Sequence, residues 1–123
     1  MDDEAAVLVV LRDILSYCDK IDYLVERFGD DEETFLEDPA FQMSCIFALM
    51  QIGESVKRIE DWLISNSGLV RWKAVCRFRD FIAHNYGKAE PGMIWKMVTT
   101  DYPVLRAEIE RLMSEVSNFD GRE

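Results

Sequence analysis

One histidine occurs among the 123 residues, and it stands in the run Arg79-Asp80-Phe81-Ile82-Ala83-His84-Asn85-Tyr86, just before Gly87. An imidazole changes charge near neutral pH and can move protons, a guanidinium neutralises phosphate, and a phenol offers a hydroxyl or a stacking ring. No other segment gathers such groups. A single histidine, with cysteines that lack ligand spacing, does not make a metal site. No serine or cysteine falls in a recognisable nucleophile motif either, which argues against acyl transfer. Phosphodiester chemistry on RNA asks for less, because the 2′-OH is the nucleophile. The protein then needs only to move protons and stabilise the charge on phosphorus.

Helices must position these groups. Leu11, Ile14, Cys18, Ile21, Val25 and Phe28 alternate three and four apart, which predicts a first helix over about 4–28, stopped by Gly29. Asp30-Asp31-Glu32-Glu33 reads as a solvated loop, without the alternating acids and central glycine of a calcium loop. Asp38-Pro39 caps a second long helix whose apolar positions Phe41, Cys45, Ala48, Ile52, Val56, Ile59 and Leu63 carry it to about Asn66. After the turn Ser65-Asn66-Ser67-Gly68, a third helix is predicted from about Leu69 to Tyr86, ending at Gly87. Pro91-Gly92 opens a short helix to about Thr99, and Asp101 caps a last one from Tyr102 to about Val116. No stretch alternates with period two. The expected fold is all-α, an up-and-down bundle of four long helices plus one short one, as a single domain over 1–123.

Composition narrows the class. An apolar fraction of 49% supports a packed core rather than disorder. No apolar run reaches bilayer length, and the acidic start Met1-Asp2-Asp3-Glu4 is unlike a secretory leader. Cys18, Cys45 and Cys76, unpaired in spacing, read as core thiols of a reduced, cytoplasmic protein. Trp62, Trp72 and Trp95 read as core or dimer anchors, and the methionines as core filler. The net charge of −10 is unevenly spread. Residues 1–40 carry all of it, with 13 acids against 3 bases, whereas residues 71–96 hold 6 bases and only Asp80 and Glu90. An anionic ligand feels this local field, so Arg71, Lys73, Arg77 and Lys88 are the expected RNA-phosphate contacts.

Seven residues apart on a helix is about 20° of azimuth, so Arg79 and Tyr86 share a face; Arg77, Asp80 and His84 share another. Arg79 and His84 lie about 140° apart and straddle the helix. One helix face cannot aim both at one small group unless its end frays, whereas two copies across a two-fold axis bring two arginines and two histidines to one groove.

Arg79-x4-His84-x-Tyr86 resembles the R-x4-H-x-Y signature of HEPN-domain ribonucleases, in particular HepT-like toxins. The likeness extends to Trp72 ahead of the motif, to Ile52-Gly53-Glu54 on the second long helix, and to Ile94-Trp95 before Tyr102-Pro103, covering most of 41–116. It implies a homodimeric bundle that cleaves RNA without metal or cofactor at a composite site. It also implies a partner, an MntA-type minimal nucleotidyltransferase antitoxin that adds AMP to the motif tyrosine. Arg79 and His84 would then be catalytic and Tyr86 the modified residue. Asp80 stands where HEPN motifs often carry Asn; one turn before His84, its carboxylate is expected to orient the imidazole while adding negative charge near the scissile phosphate. Glu54 is either a supporting site residue or a structural hydrogen-bond partner across the bundle near Gly53. The competing function is a catalytically weak HEPN dimer that binds nucleotides or a partner.

Overall fold

A computed structural model describes residues 3–120. Four long helices, α1 (Glu4–Phe28), α3 (Pro39–Arg58), α5 (Trp72–Asn85) and α7 (Tyr102–Asp120), form an all-α bundle with three short ones, α2 (Glu32–Glu37), α4 (Glu60–Asn66) and α6 (Pro91–Lys96). There is no strand among the described residues. Among the described residues, no helix is long and apolar enough to cross a membrane. Helix α1 packs on α3 and α7, and α5 packs on the far flank of α3.

Helix α1 follows its apolar stripe. Asp3 accepts from the Ala6 amide at 2.8 Å as the cap, Leu11, Ile14, Cys18 and Ile21 are buried, and Gly29 ends the helix at φ 125°, where a side chain would be strained. The acidic stretch after it is not the expected loop. Asp31 caps α2 by accepting from the Thr34 amide and hydroxyl, which also holds its carboxyl below the usual range, and Phe35 on the opposite side is fully buried. Phe35 meets Phe41 edge-on at 4.8 Å and Trp95 at 5.2 Å, with Phe28 stacked on Phe41 at 5.0 Å. The aromatic burial makes this short helix worthwhile. Gln42 completes the corner by donating to the carbonyls of Phe35 and Leu36 at its end.

The second long helix does not run unbroken to Asn66. It stops at Arg58, Ile59 leaves helical geometry (φ −130°, ψ 29°) with its side chain still buried, and α4 resumes at Glu60. Neither glycine nor proline marks this break. The C-terminal section departs in the opposite sense, because Asp101 caps nothing. Helices α6 and α7 are continuous through one π turn, Met97–Asp101, in which the Tyr102 amide bonds the Met97 carbonyl. Pro103 explains it: proline has no amide hydrogen and its ring crowds the carbonyl four residues back, so the helix widens instead of breaking.

Cys18, Cys45 and Cys76 are free and buried, and burial pushes their thiols up to about 12, 12 and 11 respectively. They are inert core groups, as expected. Trp72 and Trp95 are buried, whereas Trp62 lies at the core edge. Met43 and Met93 are not core filler; both are exposed.

Helix α5 is pinned at its start. The Trp72 indole donates to the Ser67 carbonyl at 3.3 Å, and the Ser67 hydroxyl donates to the buried carboxylate of Glu108 on α7. Arg111 bonds both oxygens of Glu108 and, with Ser67, holds that carboxyl below its usual range. The helix therefore begins at Trp72 rather than Leu69, and Leu69 is 73% exposed.

Candidate active site

Close approach of α5 to α3 creates the site. Gly53 of α3 faces Arg79: a Cβ at position 53 would lie 2.5 Å from the Arg79 Cβ and 3.0 Å from its Cγ. Only glycine admits this contact. One residue further along α3, Glu54 accepts a hydrogen bond from Nη2 of Arg79. The Asp80 Oδ1 accepts from Arg79 Nη1 at 3.2 Å and from Lys57 Nζ at 2.9 Å. Lys57–Asp80–Arg79–Glu54 is thus a chain of alternating charge across α3 and α5. Lys57 first, then Arg79, holds the Asp80 carboxyl below the usual carboxylate range. Asp80 first, with Glu54 adding to it, raises the already high pKa of Arg79, so the guanidinium is charged at every working pH.

Glu54 therefore bonds across the bundle and does so directly to the candidate catalytic arginine, which joins the two roles left open by its position in sequence. Lys57 was not among the residues singled out from the sequence. Its one signal is a place on the same helical face as Gly53 and Glu54, at i+4 and i+3.

His84 is exposed, and its Nδ1 lies 2.9 Å from the backbone carbonyl of Asp80. A carbonyl only accepts, so Nδ1 carries the proton in this bond and the lone pair of a neutral ring sits on Nε2. The orienting group is the Asp80 backbone; its carboxylate is turned instead to Lys57 and Arg79. The Asp80 side chain therefore does not orient the imidazole, contrary to the expectation from its place one turn before His84. Helix α5 stays regular through Asn85, so the helix end does not fray before His84. Arg79 points to α3 with its side chain 25% exposed, His84 points outward, and both touch Asp80 through different atoms.

Lys73 and Arg77 are exposed and fall on the same outer stripe of α5 as Asp80 and His84, at positions 73, 77, 80 and 84. Arg71 precedes the helix on another side, where it lines a cavity of about 390 Å³ with Val70, Val75, Phe78, Met97 and Leu105. The fold does not group it with His84. Lys88 is exposed in the 3-10 turn Tyr86–Lys88 beyond the helix end. The backbone of Tyr86 opens that turn; its side chain, the expected modification site, lies outside the described residues.

The bundle carries on α5 an outward-facing histidine and, turned toward α3, a charge-clamped arginine; comparison with known proteins places it in a family. Residues 14–112 match the family model described as ribonuclease HepT-like. A Methanocaldococcus jannaschii protein named as a putative RNase is 32% identical over 115 residues, covering 93% of each chain. A Thermococcus cleftensis protein named probable ribonuclease HepT is 34% identical over 91 residues, 72% of this chain and 83% of that one. A Caldanaerobacter subterraneus protein, named as a putative RNase, is 27% identical over 106 residues, 85% and 92% of the two chains. No solved structure gives a significant match. The chain belongs to the HepT-like ribonuclease family, whose members are RNases of the HEPN type.

Proposed function

We propose that this protein is the toxin of a toxin–antitoxin pair: an endoribonuclease that cuts RNA without metal, using Arg79 and His84. The observation that carries the reading is the His84 ring. Its Nδ1 is tied to the Asp80 carbonyl, Nε2 is left as the acceptor, and Arg79 stands on the same residue's carboxylate. Nε2 takes the proton of the 2′-OH as that oxygen attacks phosphorus. The 2′-O–P bond forms, the P–O5′ bond breaks, and a protonated imidazole returns a proton to the leaving 5′ oxygen. Arg79 offsets the charge that builds on the phosphorane. The products are a 2′,3′-cyclic phosphate and a 5′-OH.

One imidazole per chain and the opposed directions of Arg79 and His84 favour a symmetric homodimer in which one His84 acts as base and the partner's as acid. Phe81, 43% exposed on α5 between Arg77 and His84, is apolar surface of the kind a protein contact covers. Purified protein treated with a chelator is expected to cleave RNA at full rate and leave cyclic phosphate ends, with light scattering reporting a dimer. Resistance of a substrate carrying 2′-deoxy at the cleavage position belongs to the same test. Cleavage that survives this substitution, or that stops with the chelator, counts against the mechanism.

Regulation by an MntA-type nucleotidyltransferase, through AMP added to Tyr86, completes the proposal. Tyr86 follows His84 by two residues where the chain leaves α5, so an added phosphodiester adds a bulky anion to the segment that carries the candidate catalytic histidine and opposes an RNA phosphate by charge and by size. Co-expression with the transferase should add AMP, detected by mass spectrometry, to Tyr86 and not to Tyr17, Tyr23 or Tyr102. Full neutralisation of a Tyr86→Phe variant by the same transferase would remove the switch.

A second reading has one specific support: two carboxylates already engage Arg79. A HEPN dimer so clamped would bind nucleotides or its partner and cleave little. Expression of the chain alone separates the two, since a toxin arrests growth and a binding module does not.

A further inference from the structure

We propose that Lys57 is a positioning residue of this site: by holding Asp80, it keeps one edge of Arg79 available to an RNA phosphate. The inference rests on the reading of Arg79 as the phosphate-binding residue of a ribonuclease. It begins with a shared atom. Lys57 Nζ and Arg79 Nη1 both address Oδ1 of Asp80, at 2.9 and 3.2 Å, so the two cations divide one oxygen and the ammonium holds the shorter bond. The other donors of the guanidinium are unevenly free. Nη2 is engaged by Glu54, and Nε is buried without a hydrogen-bond partner among the described residues. The Nη1 edge is therefore where an incoming phosphate meets least competition.

Removing Lys57 changes that edge in two ways. Asp80 loses its nearer cation and is left with Arg79 alone, so it is free to close on the guanidinium as a two-point pair, the geometry that arginine and carboxylate favour. Phosphate must then displace a carboxylate for the same hydrogens. The local balance also shifts: Lys57, Arg79, Asp80 and Glu54 sum to zero, and without the lysine the cluster carries a net negative charge facing a polyanion. The second effect is additive with any other charge change, whereas the first operates only through Asp80. Non-additivity therefore reads the proposed role.

The experiment is a double-mutant cycle on RNA binding. A fluorescent oligoribonucleotide with 2′-O-methyl at every position keeps its phosphates, lacks the attacking hydroxyl, and reports Kd by anisotropy. Lys57→Met should weaken binding about tenfold, and Asp80→Asn alone should tighten it about threefold. In the Asp80→Asn background the lysine substitution should cost no more than about twofold, the residue of long-range charge. Lys57→Arg should stay near the parent value, since it keeps a cation on Oδ1. Equal losses from Lys57→Met in both backgrounds would overturn the proposal and make Lys57 an RNA contact in its own right. A lower melting temperature for Lys57→Met with no change in Kd would overturn it in favour of a purely structural pair. If the parent protein does not bind the oligonucleotide at all, the ribonuclease reading of Arg79 falls and takes this one with it.

Discussion

Replacing His84 with alanine is expected to slow RNA cleavage by about a thousandfold while leaving the fold intact. A positioned general acid or base contributes roughly 10²–10⁴ in rate, and in a symmetric pair this substitution removes both roles at once. The side chain is exposed, and its Nδ1 bonds a carbonyl one turn back on the same helix. That carbonyl lies in a regular helix, and alanine is the better helix former. The variant should therefore melt at the parent temperature. Single-turnover cleavage beside a thermal scan checks both halves. Parental cleavage by His84→Ala would refute the assignment outright. Arg79→Ala is the less clean test, because it also strands Glu54 and removes one of the two cations on Asp80.

The second large effect lies at Gly53. Alanine in place of a mid-helix glycine ordinarily stabilises by about 0.5–1 kcal/mol. Here the added methyl would sit 2.5 Å from the Arg79 Cβ, an atom next to the backbone that cannot swing aside, so α3 and α5 must separate. Overpacking of this kind costs about 1–3 kcal/mol, which outweighs the propensity gain and sets the sign. Gly53→Ala should lower the denaturant midpoint, and Gly53→Val should lower it further. The same separation withdraws Glu54 and Lys57 from Arg79 and Asp80, and a misplacement near 1 Å can cost about a hundredfold in rate. Cleavage should therefore fall in Gly53→Ala even under conditions where denaturation curves show it folded. A stabilised, fully active Gly53→Ala protein would mean that α3 and α5 leave room for a methyl group between them, which overturns the prediction.

The long helices were legible because burial on a helix imposes a repeat near 3.6 residues. Leu11, Ile14, Cys18 and Ile21 on α1 and Leu105, Ile109, Leu112 and Val116 on α7 are buried as their spacing demands. Glycine and aspartate at the ends of α1 and α3 mark boundaries for equally local reasons. The motif run was legible too, since one histidine and one basic island leave few places for proton and phosphate chemistry. Features that depend on distant partners were not. Helix α2 hides in an acidic run because its warrant is Phe35 meeting Trp95, 60 positions away. The π turn needs Pro103 to meet a helix already continuous from Pro91, and the break at Ile59 has no local marker.

At the site the division is the same. Periodicity alone placed Arg79 and His84 on different faces of α5, since azimuth follows from sequence spacing. Which face met α3 was decided by tertiary packing at Gly53, where the absent side chain lets the two backbones close. From that contact follow the pairing of Glu54 with Arg79, the turning of the Asp80 carboxylate away from the imidazole, and the entry of Lys57. Lys57 and Asp80 are 23 residues apart. No local rule joins them, because a charge pair across two helices exists only once the apolar faces beneath have fixed their register.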